Sequence, residues 1–114
     1  MTPNEAEVLD VAQLRNATLD DAELMREIIE ALIDDTSRQL PLLEGAIARQ
    51  DSNLTRRLAH YSKGACANVG AVAAAATLAE IERQALSSNF ADCSESLRRL
   101  AMEVSRLRDE PLLA

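Results

Sequence analysis

Between Asp20 and Gln50 the chain reads "DDAELMREIIEALIDDTSRQLPLLEGAIARQ". Its apolar positions Leu24, Ile28, Leu32 and Met25, Ile29, Ile33 recur every four residues, the period of a helix. In "TLDDAEL", Thr18 or Asp20 can cap that helix, and Asp20, Asp21 and Glu23 put negative charge at the positive end of its dipole. Pro41 lacks a donor and predicts a kink or a break before the pattern resumes at Leu43 and Ile47. "QDSN" predicts a short loop, with Asp51 or Ser52 capping a second helix whose core face carries Leu54, Leu58, Ser62, Ala65 and Val69. "VGAVA" around Gly70 predicts a tight connection into an Ala-rich helix that runs to about Ser87, and "SSNFADCSE" the next turn and cap. Phe90, Cys93, Leu97, Leu100, Val104 and Leu107 then follow at spacings of 3, 4, 3, 4 and 3, a seam that Pro111 closes. Ahead of all this, a short helical piece is predicted over Val8 to Asn16. Strand-like alternation and internal repeats are absent from the pattern. The expected fold is all-α: an antiparallel four-helix bundle over about 20–110 with a short extra N-terminal helix, one domain, residues 1–19 partly ordered.

Composition narrows what such a bundle can do. One Phe, one Tyr and no Trp leave the core to Ala, Leu, Ile and Val, which suits closely packed helices. A formal net charge of −7 argues against nucleic acid and against an anionic membrane surface as partners. Cys66 and Cys93 form no CxxC pair, and a single histidine cannot complete a zinc site. They read as buried small hydrophobes in a reducing cytoplasm, and no metal or cofactor of the chain's own is expected. No apolar run reaches the roughly 20 residues that span a bilayer, and "MTPNEAEVLD" is acidic rather than signal-like. The expectation is a cytoplasmic monomer.

The histidine changes the picture. His60 lies in "AHYSKGACANVGA", which also holds two of the chain's three glycines. At about 100° per residue, Arg56, Arg57, Lys63, Gly64 and Ala67 fall within about 60° of His60, opposite the predicted core face. The imidazole is thus expected mid-helix and in solvent, among three cations of an acidic protein. A neutral imidazole is a competent nucleophile near neutral pH. A phosphoryl group placed on it would meet Lys63 one turn away, with Arg57 or Arg56 helping from the preceding turn. A side chain at position 64 would stand beside the ring, and glycine leaves that approach open. Gly70 is explained by the turn that ends the helix. Against this stands the plain alternative that an exposed histidine with a lysine one turn on is an ordinary solvated face.

"LAHYSKGACANVGA" resembles the signature of the histidine-containing phosphotransfer (HPt) domain, His-x-x-Lys-Gly with a further glycine ten residues after the histidine. The lead-in "DDAELMREIIEALIDDTSRQLPLLEGAIARQDSNLTRRLAHYSKG" and the following "LAEIERQA" are similar to the family's helices too, so the likeness covers residues 20 to about 107. What it implies is a four-helix bundle that takes a phosphoryl group on histidine from a receiver-domain aspartate and passes it to another. On that pattern His60 is the phosphoacceptor, at Nε2, Lys63 the phosphate-stabilising lysine and Gly64 the clearance glycine. Asn68 falls where polar residues are common. Ser62 departs from the family's leucine; its hydroxyl is expected to bond back to the Leu58 carbonyl, with Tyr61 covering the gap.

With no nucleotide loop, acid pair or metal cluster in the sequence, Mg²⁺ and most transition-state stabilisation are expected from the partner receiver of a response regulator or hybrid kinase. The helix after Asp20 is apolar over half its circumference, more than a core stripe needs. Either the N-terminal segment covers the surplus, or Leu24, Met25 and Ile28, with Ala67 near His60, form a docking patch. The N-terminal Met1 and acidic start favour a free-standing carrier over a piece of a hybrid kinase, and a chemotaxis-kinase domain is a weaker match. The alternative from another class is a non-catalytic HPt-like module that docks and inhibits a receiver or kinase.

Overall fold

The structure, a computed structural model, describes residues 7–113, and among them it is helical throughout. Five α-helices follow in order: α1 Val11–Thr18, α2 Ala22–Ala48, α3 Ser52–Val69, α4 Val72–Leu86 and α5 Phe90–Arg108, with a 3₁₀ turn at Pro111–Leu113. Helices α2 to α5 pack in a ring, each against its two neighbours, and the short loops between them make the neighbours antiparallel. At about 1.5 Å per residue the 27 residues of α2 span about 40 Å, which accounts for the molecule's 42 Å long dimension.

Most helix starts are set by one short polar side chain. Asp10, Asp21, Asp51 and Asn89 accept hydrogen bonds from the backbone N–H of Gln13, Leu24, Leu54 and Asp92 respectively. Asp51 is one of the two caps expected for α3. At α2 the cap is Asp21 rather than Thr18 or Asp20: Thr18 is the buried last residue of α1, its hydroxyl donating to the Leu14 carbonyl, and Asp20 sits in a left-handed turn at φ 62°. The N-terminal helix correspondingly begins and ends later than Val8 to Asn16.

Pro41 does not break α2, which runs unbroken from Ala22 to Ala48. Its ring is solvent-exposed, and buried residues hold the helix on both sides of it: Leu32, Ile33 and Thr36 before, Leu43, Ala46 and Ile47 after. Each large apolar side chain buried there is worth about 1.5–3 kcal/mol, against about 3 kcal/mol for an interior proline.

The surplus apolar face of α2 is covered from two sides. Leu9 and Leu14 of the N-terminal segment are buried in the core, and Val8, Val11, Leu112 and Leu113 pack against it. The 3₁₀ turn lies on α2, where Arg26 Nε donates to the Leu112 carbonyl at 3.3 Å. Pro111 therefore ends α5 but not the packed chain. Met25 is consequently only 4% exposed and cannot dock a partner; Ile28 is half-buried, and Leu24 alone of the three is exposed.

In α3 the buried stripe is Thr55, Ala59, Ser62 and Cys66, rotated from the predicted one, whose Leu54, Leu58, Ala65 and Val69 are half-buried at its edges. Small residues make the closest contact: Ala73, Ala74 and Ala85 are buried in α4, and α3 with α4 is the most extensively packed pair. Both cysteines are buried free thiols, and burial pushes Cys66 up to about 11, so it stays protonated. Ser62 is buried, yet its hydroxyl has no hydrogen-bond partner, the Leu58 carbonyl included. Tyr61 is 56% exposed, in solvent rather than packed into the core.

The α3–α4 turn depends on Gly70, at φ 91°. Its carbonyl accepts from Asp10 N at 2.7 Å, and a Cβ there would stand 2.9 Å from the Asp10 carbonyl oxygen. Gly70→Ala should therefore destabilise the fold by about 2–3 kcal/mol and loosen the N-terminal segment, read as a lower denaturation midpoint with faster amide exchange at residues 9–14. Ser62→Ala should do the reverse: removing an unpaired buried hydroxyl raises stability by about 1 kcal/mol in the same denaturation assay.

Candidate functional site

Because α3 buries Thr55, Ala59, Ser62 and Cys66, it must turn the other side outward, and that side carries His60. The imidazole is 73% exposed and stands mid-helix, where backbone motion is least. Gly64 is exposed one turn further on, and a Cβ built there meets nothing within 4 Å. No intramolecular packing calls for glycine at that position. The bare backbone opens the space beside the ring outward only.

A carboxylate from the next helix joins them. Glu82 Oε1 forms an ion pair with Lys63 Nζ at 2.6 Å, and Glu82 Oε2 lies 3.4 Å from His60 Nδ1. Both Lys63 and Glu82 are half-buried, so their charges are less screened than those of a fully solvated pair. The three cations near His60 are thus not alone, and one of them is already partnered. Arg56 and Arg57 remain, half-buried and exposed respectively, in no ion pair among the described residues. With Asn53, His60, Tyr61 and Glu82 they line an open groove of about 850 Å³.

Ala67 and Asn68 are exposed but belong to another contact. Their backbone carbonyls accept from Gln13 Nε2 of α1, at 2.8 Å and 3.5 Å, two turns beyond His60. The groove therefore gathers His60, Arg56 and Arg57 and connects to Lys63 through Glu82, while Asn68 lies outside it. Among the described residues, no three His, Cys, Asp or Glu side chains stand close enough to hold a metal ion. None of the described helices is long and apolar enough to cross a membrane. Periodicity along α4 marks Ile81 and Ala85 as core residues but gives no sign that Glu82, between them, reaches across to α3. Only the register of the two helices reveals it.

An exposed histidine on a four-helix bundle, with a lysine one turn away and an open approach, defines a protein built to present an imidazole. The Hpt domain family model matches residues 27–110, and the chain belongs to that family. It is 39% identical over 90 residues to the sensor protein TorS of Escherichia coli K12, an alignment that takes in 75% of this chain and only 9% of that much longer protein. Its fold matches the crystal structure of histidine-containing phosphotransfer protein B (HptB) from Pseudomonas aeruginosa PAO1, with a TM-score of 0.82, 23% identity, and coverage of 91% of this chain and 90% of that one. The family's general role is that of a phosphotransfer carrier serving receiver domains of two-component systems.

Gly64 separates stability from access. Gly64→Ala should raise helix stability by up to about 1 kcal/mol, because its Cβ has room and alanine is the better helix former. Gly64→Gln should fold equally well by circular dichroism, yet slow phosphoryl loading by at least about tenfold if the opening beside His60 admits the donor.

Proposed function

We propose that His60 accepts a phosphoryl group from the phosphorylated aspartate of a receiver domain and hands it on to the aspartate of another. The observation that carries this reading is the exposed His60 ring beside the open backbone of Gly64. In the loading step the lone pair of Nε2 forms a bond to phosphorus. The phosphorus–oxygen bond to the partner's aspartate breaks, and its electron pair leaves on that carboxylate. Unloading is the reverse.

Lys63, Arg57 and Arg56 balance the incoming negative charge. Asn68 stands two turns beyond His60, its backbone carbonyl accepting from Gln13 Nε2, and its exposed side chain is the most distant of the expected phosphate-supporting groups. This chain supplies a nucleophile, local positive charge and a surface, and Leu24, 39% exposed, is the most accessible member of the expected docking patch on α2. Mg²⁺ is the receiver's contribution. Held there, it would supply charge to offset the phosphoryl oxygens.

A docking module that carries no phosphate is the competing reading, and one experiment divides them. The protein and its His60→Gln variant are incubated with a radiolabelled phosphorylated receiver. Acid-labile, base-stable label on the wild type alone is the expected result. Stable binding of the receiver with no label on either protein would establish the docking module instead.

A further inference from the structure

We infer that the groove beside His60 is a binding site for a nucleoside diphosphate, and that its occupant shuts His60 off from a receiver. The consequence for transfer rests on His60 being the phosphoacceptor; the binding itself does not. The groove holds about 850 Å³ and is lined by Asn53, Arg56, Arg57, His60, Tyr61 and Glu82. Sites for small ligands run from roughly 300 to 1,000 Å³.

Charge sets this groove apart. The chain has 19 Asp and Glu against 12 Lys and Arg, so acids to pair with are plentiful. Arg56 and Arg57 nevertheless stand in no ion pair among the described residues. Glu82, the carboxylate in the lining, is offset by Lys63 at 2.6 Å, which leaves the groove the positive charge of both guanidinia. Arg56 is half-buried, so its stem is held and its charge is less screened than that of a fully solvated arginine. The cleft between α4 and α5, about 430 Å³, is the contrast: Glu80 and Glu103 face Arg99 and Arg106 there, and Glu80 holds Arg99. Two adjacent guanidinia of this kind suit a ligand with two linked phosphates, each guanidinium offering paired N–H donors to one of them.

Phosphate alone fills a small part of such a groove, and the rest of the lining suits a planar ring with polar edges. Tyr61 is 56% exposed and offers an aromatic face for stacking. Asn53, exposed one turn before Arg57, carries a donor and an acceptor in one amide and can pair with the edge of a base. His60 is part of the same wall, so a nucleotide seated there stands over the imidazole. A receiver must displace it before Nε2 can meet phosphorus. No bond of the nucleotide breaks; it acts by occupancy, and transfer slows as the occupied fraction rises.

The test uses the full chain with ADP as the probe. His60 and Tyr61 are the chain's one histidine and one tyrosine, so proton NMR reads each ring without overlap from another of its kind. ADP should shift both rings saturably, with an apparent Kd below about 1 mM. Adenosine, which lacks the phosphates, and inorganic phosphate, which lacks the base, should each bind at least about tenfold more weakly. R56A and R57A, checked for folding by circular dichroism, should each weaken ADP by at least about tenfold. His60→Gln should still bind it, as read at Tyr61. With free Mg²⁺ held constant, ADP at about ten times its Kd should slow loading from a radiolabelled phosphorylated receiver by about tenfold. The site is overturned if no saturable shift is seen, if inorganic phosphate binds as tightly as ADP, or if the R56A/R57A double variant binds ADP undiminished. Loading that bound ADP leaves unchanged would overturn the occlusion. Failure of the wild type to take up label without ADP would overturn the relay reading instead, and the NMR titration, which needs no phosphotransfer, would still judge the groove.

Discussion

The turn at Gly70 and Ala71 fixes the register of α3 against α4, and the site exists only in that register. In an antiparallel helix pair, residues equally far from the turn stand level. His60 and Glu82 each lie eleven residues from Ala71, about 16 Å along their helices, so the imidazole and the carboxylate meet at one height. The turn has no side-chain cap for α4. It is held instead by backbone: Gly70 and Ala71 N–H donate to the Cys66 carbonyl, and the Gly70 carbonyl accepts from Asp10 and Val72. Glycine is needed because φ is 91° and because the Asp10 backbone occupies the space of a Cβ. The two glycines of the histidine helix therefore serve opposite ends. Gly70 lets the chain close on itself, and Gly64 leaves it open to the outside.

Fold and site separate cleanly on this helix. Its core face is Thr55, Ala59, Ser62 and Cys66, all small, which brings α4 near enough for a glutamate to span the gap. Larger residues there would hold the helices further apart and leave Lys63 and Glu82 as two solvated charges. The unpaired Ser62 hydroxyl costs about 1 kcal/mol or more. That cost is spread over a core that includes Ile29, Leu43, Leu78, Ile81 and Leu100, all fully buried, and the bundle tolerates it.

The helices, the loops at 49–51 and 87–89 and the outward-facing His60 were legible because each leaves a local trace: a four-residue period, an Asp or Asn cap, a glycine. Pro41 was misleading for the same reason. Local chemistry says break, while buried residues on both flanks hold α2 continuous. The core stripe of α3 shares Ser62 with the expected one, but elsewhere burial follows the small Thr55, Ala59 and Cys66 rather than Leu54, Leu58 and Ala65 beside them, because close packing on α4 favours small side chains. Met25 could not be told from Leu24 as a surface residue without knowing that the N- and C-terminal segments both fold over α2. Glu82 left no trace at all in the periodicity. Its partner is 22 positions away in sequence, and interhelical pairing at that range depends on the turn, not on either helix alone.

The shape of the site also limits the chemistry it can perform unaided. Electrostatic stabilisation of a transferring phosphoryl group is strong where water is excluded and donors are fixed in advance. His60 projects from a helix into an open groove and is 73% exposed, so water reaches it freely and neighbouring charges act through a high dielectric. Closure requires a second surface. On the relay reading the receiver supplies that surface together with its metal, and the groove is dry only for as long as the partner stays. A bare imidazole on a convex helix is then an advantage: it enters a partner's concave site without a lid to move, and the same approach serves donor and acceptor. Arg56 and Arg57, in no ion pair among the described residues, add positive charge to that face of an otherwise acidic chain and favour encounter with acidic partners. Selectivity among receivers must then come from the residues around the groove, since the reacting atoms are the same for all of them.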